Sequence, residues 1–340
     1  MRSLLPVLYC LLLTVNHVGF TVMPCTLRGA WMLTAYCLLP VPGGLVAQEQ
    51  ATAPQPSSAS GPGGNEDFRQ GIELLKQGKV DEALPLLQKA VEKEPTQADC
   101  YRALAHAYSK KKMWKEAVET YQKYLELNPT DAQAHNNLGV LYNIGDMPND
   151  AVNSYKKAIE INPKFLDAYN NLAVLYLRYG MQLEAREVVN KALEIDPQNP
   201  QAHFHLGILL TRSRMIEPAM NEYKKAIELN PGYAEAHNNL GILLDGEGKQ
   251  EEAAQEWTKA IELDPGCIDA YYNLGSYLFN AKKYNEALPL WKKLQELNPE
   301  DPWLYLRLTA TYNKLGMTKE AEEAGSRFEE LRKKAGIELE

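Results

Sequence analysis

The sequence predicts an all-α solenoid of eight antiparallel helix pairs over residues 64–335, and three periodic features predict it. Pro95, Pro129, Pro163, Pro197, Pro231, Pro265 and Pro299 stand 34 residues apart, each closing a stretch such as Glu-Leu-Asn-Pro. With that proline at position 32 of each unit, position 20 is alanine eight times, from Ala83 to Ala321. Position 8 is small throughout: Gly71, Ala105, Gly139, Ala173, Gly207, Gly241, Gly275 and Thr309. A period of this length, carried by several independent positions, marks a stack of supersecondary units that bury their apolar faces against neighbours.

Each unit opens on a helix A in which position 7 is leucine in seven cases, with Gln70 the exception. Position 11 is leucine or tyrosine, as in Leu74, Tyr108, Tyr142 and Leu244. Large residues at positions 4, 7, 11 and 24 fill the space beside the small ones, which let two helices cross closely. A glycine or polar turn near positions 13 to 16, as in Gly145-Asp146 or Gly246-Glu247-Gly248, separates helix A from helix B. Helix B stops before position 32 because proline cannot continue a helix and biases its predecessor away from helical geometry. Pro85 and Pro289 fall at position 22, inside helix B, where the lost backbone bond predicts a bend. The eighth unit carries Lys333 in place of the closing proline. It predicts a terminal helix whose polar outer face, including Glu329, Glu330 and Arg332, shields the open end of the stack, with 336–340 as a tail.

In period and in small-residue pattern, residues 64 to about 335 resemble the tetratricopeptide repeat family. The resemblance implies a right-handed superhelix with a concave groove lined mainly by A helices, binding other proteins or extended peptides. It also implies which residues face that groove. Asn137, Asn171, Asn239 and Asn273 share position 6, with His205 and Arg307 at the same position in the fifth and eighth units. An amide there can pair with the C=O and N–H of a bound backbone together, whatever the ligand's side chains. This arrangement resembles the asparagine ladder in the repeat domain of O-GlcNAc transferase, though no transferase domain is present. The bland alternative is hydrogen bonding from helix to helix. Arg102, Asn136, Asn170, Phe204, Asn238 and Tyr272 are the implied wall residues beside them, with Phe279 and Trp303 further along. The family's clamp for C-terminal carboxylates matches only Asn273 and Arg307 across the last three units, while Asn238, Ile242 and Trp303 depart from it.

Residues 1–47 read as a signal peptide or membrane anchor. Arg28, the apolar run Ala30 to Val41 and the breakers Pro42, Gly43 and Gly44 precede a small residue, Ala47, with the grammar of a cleavable signal. The earlier block, Leu4 to Phe20, is near spanning length but is interrupted by Asn16 and His17, and a start at Met23 is an open alternative. Either reading places the body across or on a membrane, the N-terminal segment being its only predicted membrane contact. Residues 48–63, rich in Gln, Ala, Pro, Ser and Gly, read as a flexible linker.

Charge argues against nucleic acid as a partner. Arg2 and Arg28 are the only charges before Glu49, and the remaining chain carries 34 basic against 44 acidic side chains. Neither Cys100 nor Cys267 belongs to a CxxC pair, which leaves a disulfide framework or zinc site unsupported. No phosphate loop, HExxH, GxSxG or EF-hand loop occurs. His135, His203 and His237 all fall at position 4, where other units place tyrosine, and a packing role is expected of them rather than metal ligation. Cys100 replaces an alanine of other units at position 3 and reads as a buried small residue. The sequence therefore predicts a non-enzymatic interaction scaffold that needs no cofactor. A substrate-recruiting subunit of an enzyme complex and a structural envelope component are the competing readings.

Overall fold

The computed structural model describes residues 65–337, so the predicted leader, the linker and the last three residues of the tail lie outside the described residues. Sixteen helices and no strand occur among the described residues. In the first four repeats they are α1 (Glu66–Lys76), α2 (Val80–Lys93), α3 (Ala98–Lys110), α4 (Trp114–Leu127), α5 (Ala132–Ile144), α6 (Pro148–Ile161), α7 (Leu166–Arg178) and α8 (Gln182–Ile195). The fifth and sixth repeats add α9 (Pro200–Arg212), α10 (Ile216–Leu229), α11 (Ala234–Gly246) and α12 (Gln250–Leu263). The last two add α13 (Ile268–Asn280), α14 (Tyr284–Leu297), α15 (Pro302–Leu315) and α16 (Thr318–Lys334). Odd numbers are the A helices and even numbers the B helices, an all-α superhelical repeat fold. The chain forms two compact bodies that divide between Leu209 and Leu210, inside α9.

Within each body the packing follows the predicted register. The position 20 alanines from Ala83 to Ala287 are all wholly buried, and Ala321 nearly so. A Cβ added at Gly71 would sit 2.7 Å from Leu87, one at Gly139 2.6 Å from the Tyr155 ring, and ones at Gly241 and Gly275 2.7 Å from Trp257 and Trp291. In all four repeats, therefore, the missing side chain at position 8 is filled by the large one at position 24. Backbones approach closely there because only hydrogen occupies the crossing point.

The A–B turns share one conformation. Position 15 has positive φ in all eight repeats: in Gly78, Gly180, Gly248 and Gly316, and also in Lys112, Asp146, Arg214 and Lys282, at φ between 54° and 62° for these four. The following N–H reaches back to the carbonyl of position 11, as from Lys79 to Leu74 at 2.9 Å and from Lys249 to Leu244 at 2.9 Å. This six-to-one closure satisfies the carbonyls at the end of helix A and fixes where helix B begins.

At the other end of the unit, the residue before the closing proline is extended, with Asn128, Asn162 and Asn230 all at φ below −125°. Pro85 and Pro289 do not interrupt their helices: α2 and α14 each span 14 residues, as the other internal B helices do. The last helix, α16, runs to 17 residues and buries Ala321, Ala324, Phe328 and Leu331 on one face. Gly336 at φ 67° ends it, and Arg332 Nη1 donates to the Ile337 carbonyl at 2.8 Å. Asn65 closes the opposite end, its Nδ2 donating to the Ala90 carbonyl at 3.0 Å.

Candidate functional site: the A-helix faces

The position 6 amides are occupied within the scaffold. Asn171 Nδ2 donates to Asn136 Oδ1 at 2.9 Å, and Asn273 Nδ2 donates to Asn238 Oδ1, also at 2.9 Å. Both bonds join position 6 of one repeat to position 5 of the repeat before it, with a sequence separation of 35. Asn136, Asn171 and Asn238 are buried, so each rung is an amide pair shielded from water. Asn137 uses its amide differently, donating to Tyr121 Oη at 3.1 Å and accepting from Gln133 Nε2 at 2.9 Å. Asn239 accepts from Asn238 Nδ2 at 3.3 Å. The geometry thus realises the helix-to-helix bonding that stood as the alternative in the sequence, and a ligand would compete with bonds already made.

The rung is missing where histidine replaces asparagine. Asn170 and His205 occupy the same two positions in the fourth and fifth repeats, yet Asn170 Oδ1 and both imidazole nitrogens of His205 are buried without a hydrogen-bond partner. His205 is 1% exposed, and burial pushes its imidazole down to about 4. Phe204, expected on the groove wall, is instead wholly buried, its ring 5.8 Å from that of His205. An apolar ring gains more from leaving water than from lining an open surface.

The other expected wall residues keep some exposure. Arg102 Nη2 pairs with Asp99 at 2.8 Å, one turn away. Tyr272 donates its hydroxyl to Asp301, and its ring lies 5.9 Å from Trp291. Arg307 is exposed, while Phe279 and Trp303 are half-buried against Tyr284 and Phe328. The structure brings Tyr272, Phe279, Trp303 and Arg307 onto neighbouring A helices of the second body, α13 and α15.

Sequence reasoning missed a second recurrent contact. The ring at position 4 reaches the carbonyl of the closing proline six residues earlier: His135 to Pro129 at 3.1 Å, Tyr169 to Pro163 at 3.2 Å, His203 to Pro197 at 3.0 Å and Tyr305 to Pro299 at 3.1 Å. Histidine and tyrosine interchange here because each places a polar atom at the same reach, so the position 4 histidines serve as carbonyl partners rather than as packing alone. His237 departs from the pattern, its Nδ1 meeting Glu256 Oε2 at 2.6 Å. Cys100 is wholly buried, and desolvation with nearby Glu94 and Asp99 pushes its thiol up to about 12. The repeated glutamates lie in exposed i,i+3 pairs such as Lys157–Glu160 and Lys225–Glu228, each at 3.0 Å, worth little to stability. Among the described residues no cluster of three or more potential metal ligands occurs, and no helix is long and apolar enough to cross a membrane.

Paired helices, one crossing geometry and one turn conformation repeated every 34 residues define an α-helical repeat scaffold. Models of the tetratricopeptide repeat match residues 74–139, 132–165, 154–187 and 268–301, and a TPR repeat model matches 216–244 and 247–280. The chain belongs to the tetratricopeptide repeat family, whose members generally bind proteins or peptides, and it is a protein–protein interaction scaffold. The family matches carry no preference for the transferase ladder. No curated protein matches the sequence.

Among solved structures, a tetratricopeptide repeat protein from Parabacteroides merdae is 18% identical, with 72% of this chain and 97% of that one covered at a TM-score of 0.61. A chain of the APC/C hetero-tetramer Cut9-Hcn1 is 16% identical over 71% of this chain, with a TM-score of 0.60. This chain spans about half of that one, 48%. Pseudomonas aeruginosa PilF is 23% identical over 64% of this chain and 96% of its own, with a TM-score of 0.53. These likenesses show the fold.

Proposed function

We propose that the protein is a non-catalytic adaptor, exported or membrane-tethered, that holds segments of other proteins against its A helices. The observation that supports this most is the row of part-exposed side chains on α13 and α15. Tyr272, Phe279 and Trp303 stay half-open where the packing positions of the same helices are buried. Rigid aromatic side chains in that state offer large contact area at low conformational cost, which suits a polypeptide better than a small metabolite. Nucleic acid is a poor fit to a chain of net charge −8.

The binding half of the proposal is tested by selecting peptides from a random-sequence display library on the full chain, then titrating them against Tyr272→Ala, Phe279→Ala and Trp303→Ala. Anchor residues of this kind cost about 1 to 4 kcal/mol when truncated, so affinity is expected to fall roughly tenfold or more. Peptides that bind all three variants as they bind the parent would move the site elsewhere. The export half is tested by fractionation with N-terminal sequencing. Cleavage near Ala47, or retention in membranes, is expected, and an intact, freely soluble cytoplasmic product would end that half.

A further inference from the structure

We draw no further inference here: the strongest candidate, the exposed apolar tips Met147, Tyr179, Met181 and Leu183 on the edge formed by the third and fourth A–B turns, carries nothing because nothing in the structure shows what covers it.

Discussion

Single side chains in this protein matter chiefly through what their removal leaves behind. Replacing Asn171 with alanine strips Asn136 Oδ1 of its partner inside a buried rung, and an unsatisfied buried acceptor costs about 1 to 3 kcal/mol. Chemical denaturation of Asn171→Ala is expected to show a loss in that range. Replacing both members of the rung with alanine should cost less than the two single losses together. Strict additivity would mean that the rung is not an interacting pair. His205 carries a pH dependence whose sign follows from burial. Its imidazole is held at about 4, below the ordinary 6.5, so the unfolded chain takes the proton first. The stability it leaves intact above pH 6.5 is lost as pH falls toward 4, up to about 3 kcal/mol. His106, also lowered to about 4 by burial and by Lys110, adds in the same direction. Urea midpoints measured from pH 7.5 to 4.5 should fall, and His205→Asn should flatten the fall while restoring an amide opposite Asn170. An unchanged slope in that variant would clear His205 of the effect.

At the scale of the helix pair, two features set the geometry: the empty position 8 and the left-handed position 15. Gly139→Ala would place a methyl 2.6 Å from the Tyr155 ring, itself buried, so the crossing must open or the ring must move. Such overpacking costs about 1 to 3 kcal/mol, readable as a lower thermal midpoint. The turn offers a change in the opposite direction. Lys282 sits at φ 62°, where a side chain is disfavoured by about 1 to 2 kcal/mol. Lys282→Gly is therefore expected to stabilise, by somewhat less than that because glycine also loosens the unfolded chain. Gly248→Ala, at φ 79°, should destabilise by a similar amount. If both substitutions shift the midpoint the same way, turn strain is not what decides them.

For the molecule as a whole, the unit of tolerance is the repeat. Removing residues 132–165 deletes one α5–α6 pair and joins like to like, whereas removing 132–147 sets two B helices in succession and breaks the alternation on which the 8–24 crossing depends. The whole-repeat deletion should retain cooperative helical unfolding, and the half deletion should lose most of it. Equal damage from both would speak against the 34-residue register.

The sequence by itself determined the repeat count, the register, the crossing at positions 8, 20 and 24, and the closing helix of the eighth unit. Those features recur every 34 residues, so eight copies of one local pattern reinforce each other. The same repetition hid what is not periodic. That Asn171 bonds Asn136 depends on how two consecutive A helices lie across a separation of 35, which side-chain identity leaves open. Phe204 and His205 occupy the positions that the other repeats give to expected groove residues, and packing closes them off from water. Pro85 lies inside α2 without ending it, and Leu87 of the same helix packs at Gly71. The left-handed turn position was half legible, since four glycines marked it and four charged residues concealed it. The apolar tips on the turn edge were legible least of all. Met147, Met181 and Leu183 share their apolar character with core residues, and exposure is a property of the folded surface that composition does not carry.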